Sequence, residues 1–489
     1  MAASLEAALD SRPVSTASEL PSLRLDATRE EALDRAAAIV SEAWRGFDRA
    51  RPGQPSVDDR LRELLRSTLP AEGSSALGAL EDAARILDTS LAQPRPRFFA
   101  FVGSSGLEIG VLGDLLASCF DVNLALWAGA ASGVEDQAVR WVSEFIGFPA
   151  AAGAFTSGGT ISNVTALAAA RERALPGSRS CGMAGQAGAL YCSREAHYSV
   201  VRAAELLGIG SELVRALPQD ARRRVVPEEV AEAIDRDVAA AIAPIAVVAT
   251  AGTTLTGAVD PLDALADVCA ERGTWLHVDG AYGVAAATTP SAGHLFDGLE
   301  RADSVTLDAH KWLFLPKACG VVLVRRREDL HGALAHEEDY VPHDRPDHHM
   351  VDITLEYSRP FRALKLWLAF RAHGADAIRG AIERNLRQAR LMHDEIAACD
   401  DFELLCGEPP LSVVPFRHVP EGVSDVDGHN LRLVAALQET GDVWVAPARV
   451  DGVVCLRPCV VNYRTTDDDV RALVTLARDA GRALATAAS

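Results

Sequence analysis

From about residue 108 to residue 365 the chain alternates short apolar runs with stretches in which apolar positions recur at helical spacing. In order come AIAPIAVVATAG (241–252), DPLDALADVCAERG (260–273), TWLHVDGAYG (274–283), ADSVTLDAHKW (302–312) and CGVVLVRR (319–326). Strand, helix, strand in that succession predicts a mainly parallel sheet covered on both faces, the α/β class. The longest apolar stretch, Val238 to Gly252, reads as a helix end followed by a buried strand, interrupted at Pro244. Residues 1–107 instead alternate Ala/Leu/Arg/Glu stretches with Pro and Ser breaks and read as an N-terminal helical arm. After Arg359 the apolar positions Leu364, Leu366, Trp367, Leu368 and Phe370 predict a helix leading into a smaller α+β domain over 366–489, which leaves 108–365 as the large domain.

A chain of 489 residues exceeds what one ordinary core organises, so two or three cooperating domains able to enclose a site are expected. Hydrophobic residues make up 48% and charged residues 24%, the balance of a globular protein. The formal charge of −20 repels nucleic acid and anionic membranes, so neither is an expected partner. No apolar stretch has the length of a spanning helix, and MAASLEAALDSRP lacks the pattern of a secretory signal, so a cytoplasmic address is expected. Nine Cys without a CxxC are expected to be reduced thiols.

Two predicted strands end in chemistry. Asp279 follows the run Trp275 to Val278, at the edge where parallel sheets bind ligands, and Lys311 lies just beyond the run Ser304 to Leu307. One acid and one amine would then face the same crevice. Thr156-Ser-Gly-Gly-Thr160 stands before a helix predicted from about Ile161 to Arg173. Its small residues, Gly159 among them, let backbone N–H groups approach an anion, Thr160 adds a hydroxyl, and the helix N-terminus contributes partial positive charge. Alone, these residues read first as a Ser/Thr-rich helix cap in front of an Ala-rich helix. Together with an Asp able to protect a protonated ring nitrogen and a Lys able to form an imine, they are the parts pyridoxal phosphate requires.

Eight blocks carry a resemblance: PRFFAFV (96–102), TSGGTISN (156–163), EAHYS (195–199), TAGTTLTGAVDPL (250–262), HVDGAYG (277–283), SVTLDAHKWLFLPKACG (304–320), SRPFRALKLW (358–367) and LRPCVVNYRTT (456–466). From about Pro94 onward the sequence resembles the group II pyridoxal-phosphate-dependent amino acid decarboxylases, which include aromatic amino acid, glutamate and diaminobutyrate decarboxylases. The resemblance implies the fold-type-I transferase fold with a seven-stranded type of sheet, and a homodimer with its site at the subunit interface. It implies conversion of an L-amino acid to the amine and carbon dioxide through an external aldimine and quinonoid. Lys311 would carry the cofactor as an imine, Asp279 would pair with the pyridinium and His197 would stack on the ring. Thr160, Thr254 and His310 fall where the family contacts the phosphate, the ring or the imine, and Ala281 falls where a small residue clears the ring face. Tyr340, in the polar stretch EEDYVPHDRPDHHMVD (337–352), would reach the partner subunit's site and donate the proton that replaces carbon dioxide.

His343, His348 and His349 in that stretch lack a HExxH or Cys-rich context and read as solvated loop residues, so no metal is expected. Asp308 stands where many members carry Asn. A second carboxylate near a phosphate is unfavourable unless it faces away, so Asp308 is assigned no phosphate role. Gly103 to Gly106, Asn123 and Ala125 differ from the aromatic amino acid decarboxylases, which leaves the substrate open. Phe101 and Arg457 are candidates for substrate contact, and Arg457 and Arg464 each suit a carboxylate or a structural ion pair. The alternative is another outcome on the same fold, an aldehyde synthase or aminotransferase; His197 and Tyr340 speak against the first. An intact Lys311, Asp279 and His197 speak against a pseudoenzyme, and the absence of GxxxxGK[ST] excludes a P-loop.

Overall fold

A computed structural model describes residues 23–49, 51–336, 338–339 and 349–488. Its central sheet holds β1 (Ala152–Thr156), β2 (Gly188–Ser193), β3 (Val214–Leu217), β4 (Ala243–Thr250), β5 (Trp275–Asp279), β6 (Ser304–Asp308) and β7 (Gly320–Val324), in the order β1-β7-β6-β5-β4-β2-β3. β3, β2, β4, β5 and β6 pair in parallel, while β7 is antiparallel to both β6 and β1, so β7 alone is reversed. The reversal has a simple cause. The segment between Asp308 and Gly320 contains only the helical turn Ala309–Trp312 and a loop, too short for a crossover to a parallel neighbour. The expected mainly parallel sheet is therefore present, with one hairpin-like exception beside Lys311.

β4 begins at Ala243 and contains Pro244, where the sequence suggested an interruption. Opposite it the pairing register of β2 shifts between Ala189 and Leu190, an irregularity of the kind that accommodates a residue without an N–H at a strand's start. Both faces of the sheet are covered. Leu276, Val278, Val305 and Leu307 belong to one apolar core, and Leu190, Ala246, Val248 and Trp275 belong to a second that includes Ala166 to Ala170 of the helix Gly159–Ala174. The small side chains of that helix let it lie close over the sheet. On the same face β5 and β6 carry a polar stripe, His277 and Asp279 beside Ser304, Thr306 and Asp308, all of them buried.

The C-terminal part is α+β, as expected. β8 (Phe402–Leu404), β9 (Phe416–His418), β10 (Pro447–Val450) and β11 (Val453–Leu456) form an antiparallel sheet in the order β10-β11-β9-β8. Its core joins Phe416 and Leu456 to Met392, Leu433 and Leu473 from the helices Ala363–Ala397, Val426–Thr440 and Asp467–Ala488. The first of these bends at Gly374, whose φ of 77° lies outside helical space.

The described residues of Met1–Arg45 and Ser56–Ser90 form a compact unit of their own. Asp58 caps the helix Asp59–Arg66 by accepting from Leu61 N, and Ser75 caps Ala76–Asp88 by accepting from Gly78 N. Ion pairs Arg35–Glu81 and Arg85–Asp58 tie its helices together. Among the described residues no helix is long and apolar enough to cross a membrane.

Candidate active site

The carboxyl ends of β4, β5 and β6 open on a cleft of about 290 Å³ bordered by the N-terminus of the helix Gly159–Ala174. Gly159, Thr160, His197, Thr254, Asp279, Ala281, His310 and Lys311 all line it. Phe101 does not; it is 53% exposed with φ 61°. Arg457 also lies outside the lining, 5% exposed, but donates to Thr254 O at 2.6 Å. Tyr340, His343 and His348 lie outside the described residues.

The anion seat is built from close backbone approach. The N–H groups of a helix's first turn have no intrahelical acceptor, this helix starts without a side-chain cap to satisfy them, and Gly159, Thr160 and Ile161 of its first turn line the cleft. A Cβ on Gly159 would lie 2.9 Å from Asp308 Oδ2 and 3.0 Å from Ala281 Cβ, and one on Gly320 would lie 2.6 Å from Gly158 Cα. Glycine is the residue these positions can hold.

Asp279 sits at the end of a hydrogen-bond chain that runs across the buried polar stripe. Trp275 Nε1–H donates to Ser304 Oγ at 2.8 Å, whose hydroxyl is 2.8 Å from His277 Nδ1. His277 Nε2 meets Asn163 Oδ1 at 3.0 Å, and Asn163 Nδ2 donates to Asp279 Oδ2 at 2.9 Å. Ala281 N donates to Asp279 Oδ1 at 3.2 Å. Burial pushes the His277 imidazole down to about 4, against the opposing pull of Asp279, so it is neutral. Because Trp275 can only donate and Asn163 uses its amide hydrogens elsewhere, one tautomer satisfies every partner: Nδ1 accepts from Ser304 and Nε2–H donates to Asn163. The second amide hydrogen of Asn163 goes to Ser199 Oγ at 2.9 Å, and Ser199 Oγ is 2.9 Å from His197 Nδ1. Burial lowers His197 as well, with Asp279 opposing, and Ser199 N also points to Nδ1 at 3.3 Å, which leaves the proton on Nε2. His310 is likewise lowered, chiefly by burial, with Nδ1 held against the Cys319 backbone.

Asn163, Ser199 and His277 were not singled out from the sequence. Their signals were present: Asn163 follows Gly159 by one helical turn and ends the block TSGGTISN, Ser199 ends EAHYS, and His277 shares the strand parity of Asp279. Asp308 contradicts its expectation outright. It does not face away; it lines the cleft at 4% exposure, with Oδ2 3.0 Å from Lys311 Nζ and Oδ1 buried without a hydrogen-bond partner among the described residues. The register forces this, because Asp279 pairs with Thr306, and two residues on Asp308 points to the same face. The two arginines also separate. Arg464 is engaged by Glu108 at 2.8 Å and by Ser105 O, whereas no carboxylate among the described residues pairs with Arg457.

An anion seat, a held carboxylate and an amine in one cleft fit pyridoxal phosphate, Asp308 being the one discordant charge. Residues 59–419 match the model of the pyridoxal-dependent decarboxylase conserved domain. The chain belongs to the pyridoxal-dependent decarboxylase family. An aromatic-L-amino-acid decarboxylase of Bacillus atrophaeus is 32% identical over 86% of this chain and 89% of its own length. An L-2,4-diaminobutyrate decarboxylase of Rhizobium meliloti (strain 1021) is 34% identical over 86% of this chain and 84% of that protein. The structure of Oryza sativa TDC with PLP and tryptamine superposes with a TM-score of 0.88 at 27% identity, covering 95% of this chain and all of that one. This decarboxylase therefore has the fold of that PLP-containing enzyme. It acts on an amino acid with pyridoxal phosphate as cofactor, and the named activity of both relatives favours decarboxylation over the aldehyde-forming or transamination alternative.

Proposed function

We propose that the cleft performs this decarboxylation with Gly159, Thr160 and the helix N-terminus on the cofactor's phosphate, Asp279 at its ring nitrogen, His197 over the ring, Ala281 clearing the opposite face and Lys311 as the covalent attachment point. Thr254 and His310 complete the wall. When bound, pyridoxal phosphate supplies an electron sink for the bond between Cα and the departing carboxylate. The protein's share is orientation and charge. Asp279 keeps a proton at the ring nitrogen, and the chain from Trp275 to Asn163 holds its carboxylate in one rotamer. A neutral His197, fixed through Ser199, adds a flat face without adding charge. The observation that carries this reading is that dedicated chain of buried donors ending on a cleft-facing carboxylate.

For the substrate, Arg457, which donates to Thr254 O in the wall and has no carboxylate partner among the described residues, offers a guanidinium suited to a carboxylate. A homodimer with the site at its interface is supported by the helix Glu108–Phe120, where Leu112, Leu115, Leu116 and Phe120 form an exposed stripe at helical spacing with Trp127 nearby in sequence. In that assembly Tyr340 would act across the interface, supplying the proton to Cα, and Phe101 is kept as a candidate substrate contact. The division into 1–107, 108–365 and 366–489 is retained as part of the proposal, with the cofactor in the central part. The test is borohydride reduction of the loaded protein followed by peptide mass mapping, with amine and carbon dioxide measured over a panel of amino acids. Cofactor on Lys311 is the expected result; cofactor on Lys317 or Lys365 would refute the assignment.

A further inference from the structure

Asp308 is a buried carboxylate at the floor of an anion seat, which is an unfavourable place for a second negative charge. Its Oδ2 is 3.0 Å from Lys311 Nζ, its Oδ1 has no hydrogen-bond partner among the described residues, and a Cβ on Gly159 would touch it. We propose that Asp308 is the proton acceptor for Lys311 during cofactor loading and remains protonated while the cofactor is bound. This rests on the reading of Lys311 as the attachment point. Lys311 must enter a covalent bond as a free amine, so its ammonium has to lose a proton. One N–H bond breaks, its electron pair stays on Nζ, and an O–H bond forms on Asp308 Oδ2: ammonium and carboxylate become amine and carboxylic acid. The single transfer frees the nucleophile and also removes the charge that would oppose the phosphate. The neutral acid becomes a hydrogen-bond donor aimed into the seat. The other titratable groups facing Asp308 are His310, whose Nδ1 is 3.9 Å from Oδ1, together with His197 and Cys319. Burial disfavours the imidazolium in both histidines and raises the Cys319 thiol to about 12, which leaves Lys311 as the proton's source.

The experiment loads cofactor-free protein with pyridoxal phosphate and counts protons by calorimetry in buffers of different ionisation enthalpy. The wild type should take up about one more proton per site than Asp308→Asn, so the ratio of its cofactor Kd to the variant's should rise about tenfold per pH unit near neutrality. Infrared difference spectra of the wild type alone provide a second readout that does not depend on the variant folding. A protonated-carboxyl C=O band, shifted in D2O, should appear on loading. Equal proton counts, or no such band, overturn the proposal. Borohydride mapping on the same samples separates the two readings: cofactor on Lys311 without the carboxyl band refutes the proton transfer alone, whereas cofactor on another lysine refutes both.

Discussion

Replacing Arg359 by Ala should loosen the strand that leads into the anion seat, although Arg359 does not line the cleft. Arg359 and Glu135 are 2% and 1% exposed, and Arg359 Nη1 donates to Glu135 Oε2 at 3.0 Å and to Leu124 O at 3.1 Å. Nη2 donates to Glu135 Oε1 and, at 3.1 Å, to Phe155 O, the residue before Thr156. Arg359 N is in turn held by Asn123 Oδ1 at 3.0 Å. Removing the guanidinium strands a buried carboxylate and two carbonyls, and breaking a buried pair in this way costs about 3–5 kcal/mol. At about 1.4 kcal/mol per decade this is a rise of roughly 10² to 10⁴ in the opening equilibrium of β1. Hydrogen exchange at the amides of Ala152–Thr156 reads it directly, in the cofactor-free protein. The double variant Glu135→Gln with Arg359→Met should recover part of the lost protection, because no unpaired charge remains. Protection falling less than about tenfold in Arg359→Ala, or a double variant no better than the single, would refute the reasoning.

Asp279→Asn should still bind cofactor but lose turnover at least about tenfold, since a hydrogen bond to a charged group is worth about 1.5–3 kcal/mol; unchanged turnover would mean the ring nitrogen needs no carboxylate. His277 is held near 4 in the fold against an ordinary 6.5, so the unfolded chain binds its proton first: the stability it contributes is complete above pH 6.5 and is lost as pH falls towards 4. Denaturation profiles of His277→Gln should therefore be flatter than the wild type's across that window. Tyr340→Phe should consume substrate and release carbon dioxide but yield less amine and more aldehyde in air, because loss of a general acid costs about 10² to 10⁴ in rate; normal amine yield would remove Tyr340 from the mechanism.

The polar and apolar alternation in WLHVD and SVTLD was enough to place Asp279 and Lys311 at strand ends, because the period of a strand is a local property of the chain. Thr156 to Thr160 before an Ala-rich run likewise announces a helix start. The same alternation shows that His277, Asp279, Ser304, Thr306 and Asp308 fall on the polar parity of their strands. Within two strands buried on both faces, that pattern already implies a polar stripe in need of partners.

What a single strand's pattern cannot contain is the register between strands. The pairs His277 with Ser304 and Asp279 with Thr306 turn two stripes into one and carry Asp308 to the cleft; a slip of one residue would have sent it to the opposite core, where Val305 and Leu307 lie. Register is decided by packing against the helix Gly159–Ala174 and by the short turn that reverses β7, both of them long-range. For the same reason Arg457 and Arg464, seven residues apart on similar-looking text, parted only in the folded chain, where Glu108 reached one of them and no carboxylate among the described residues reached the other.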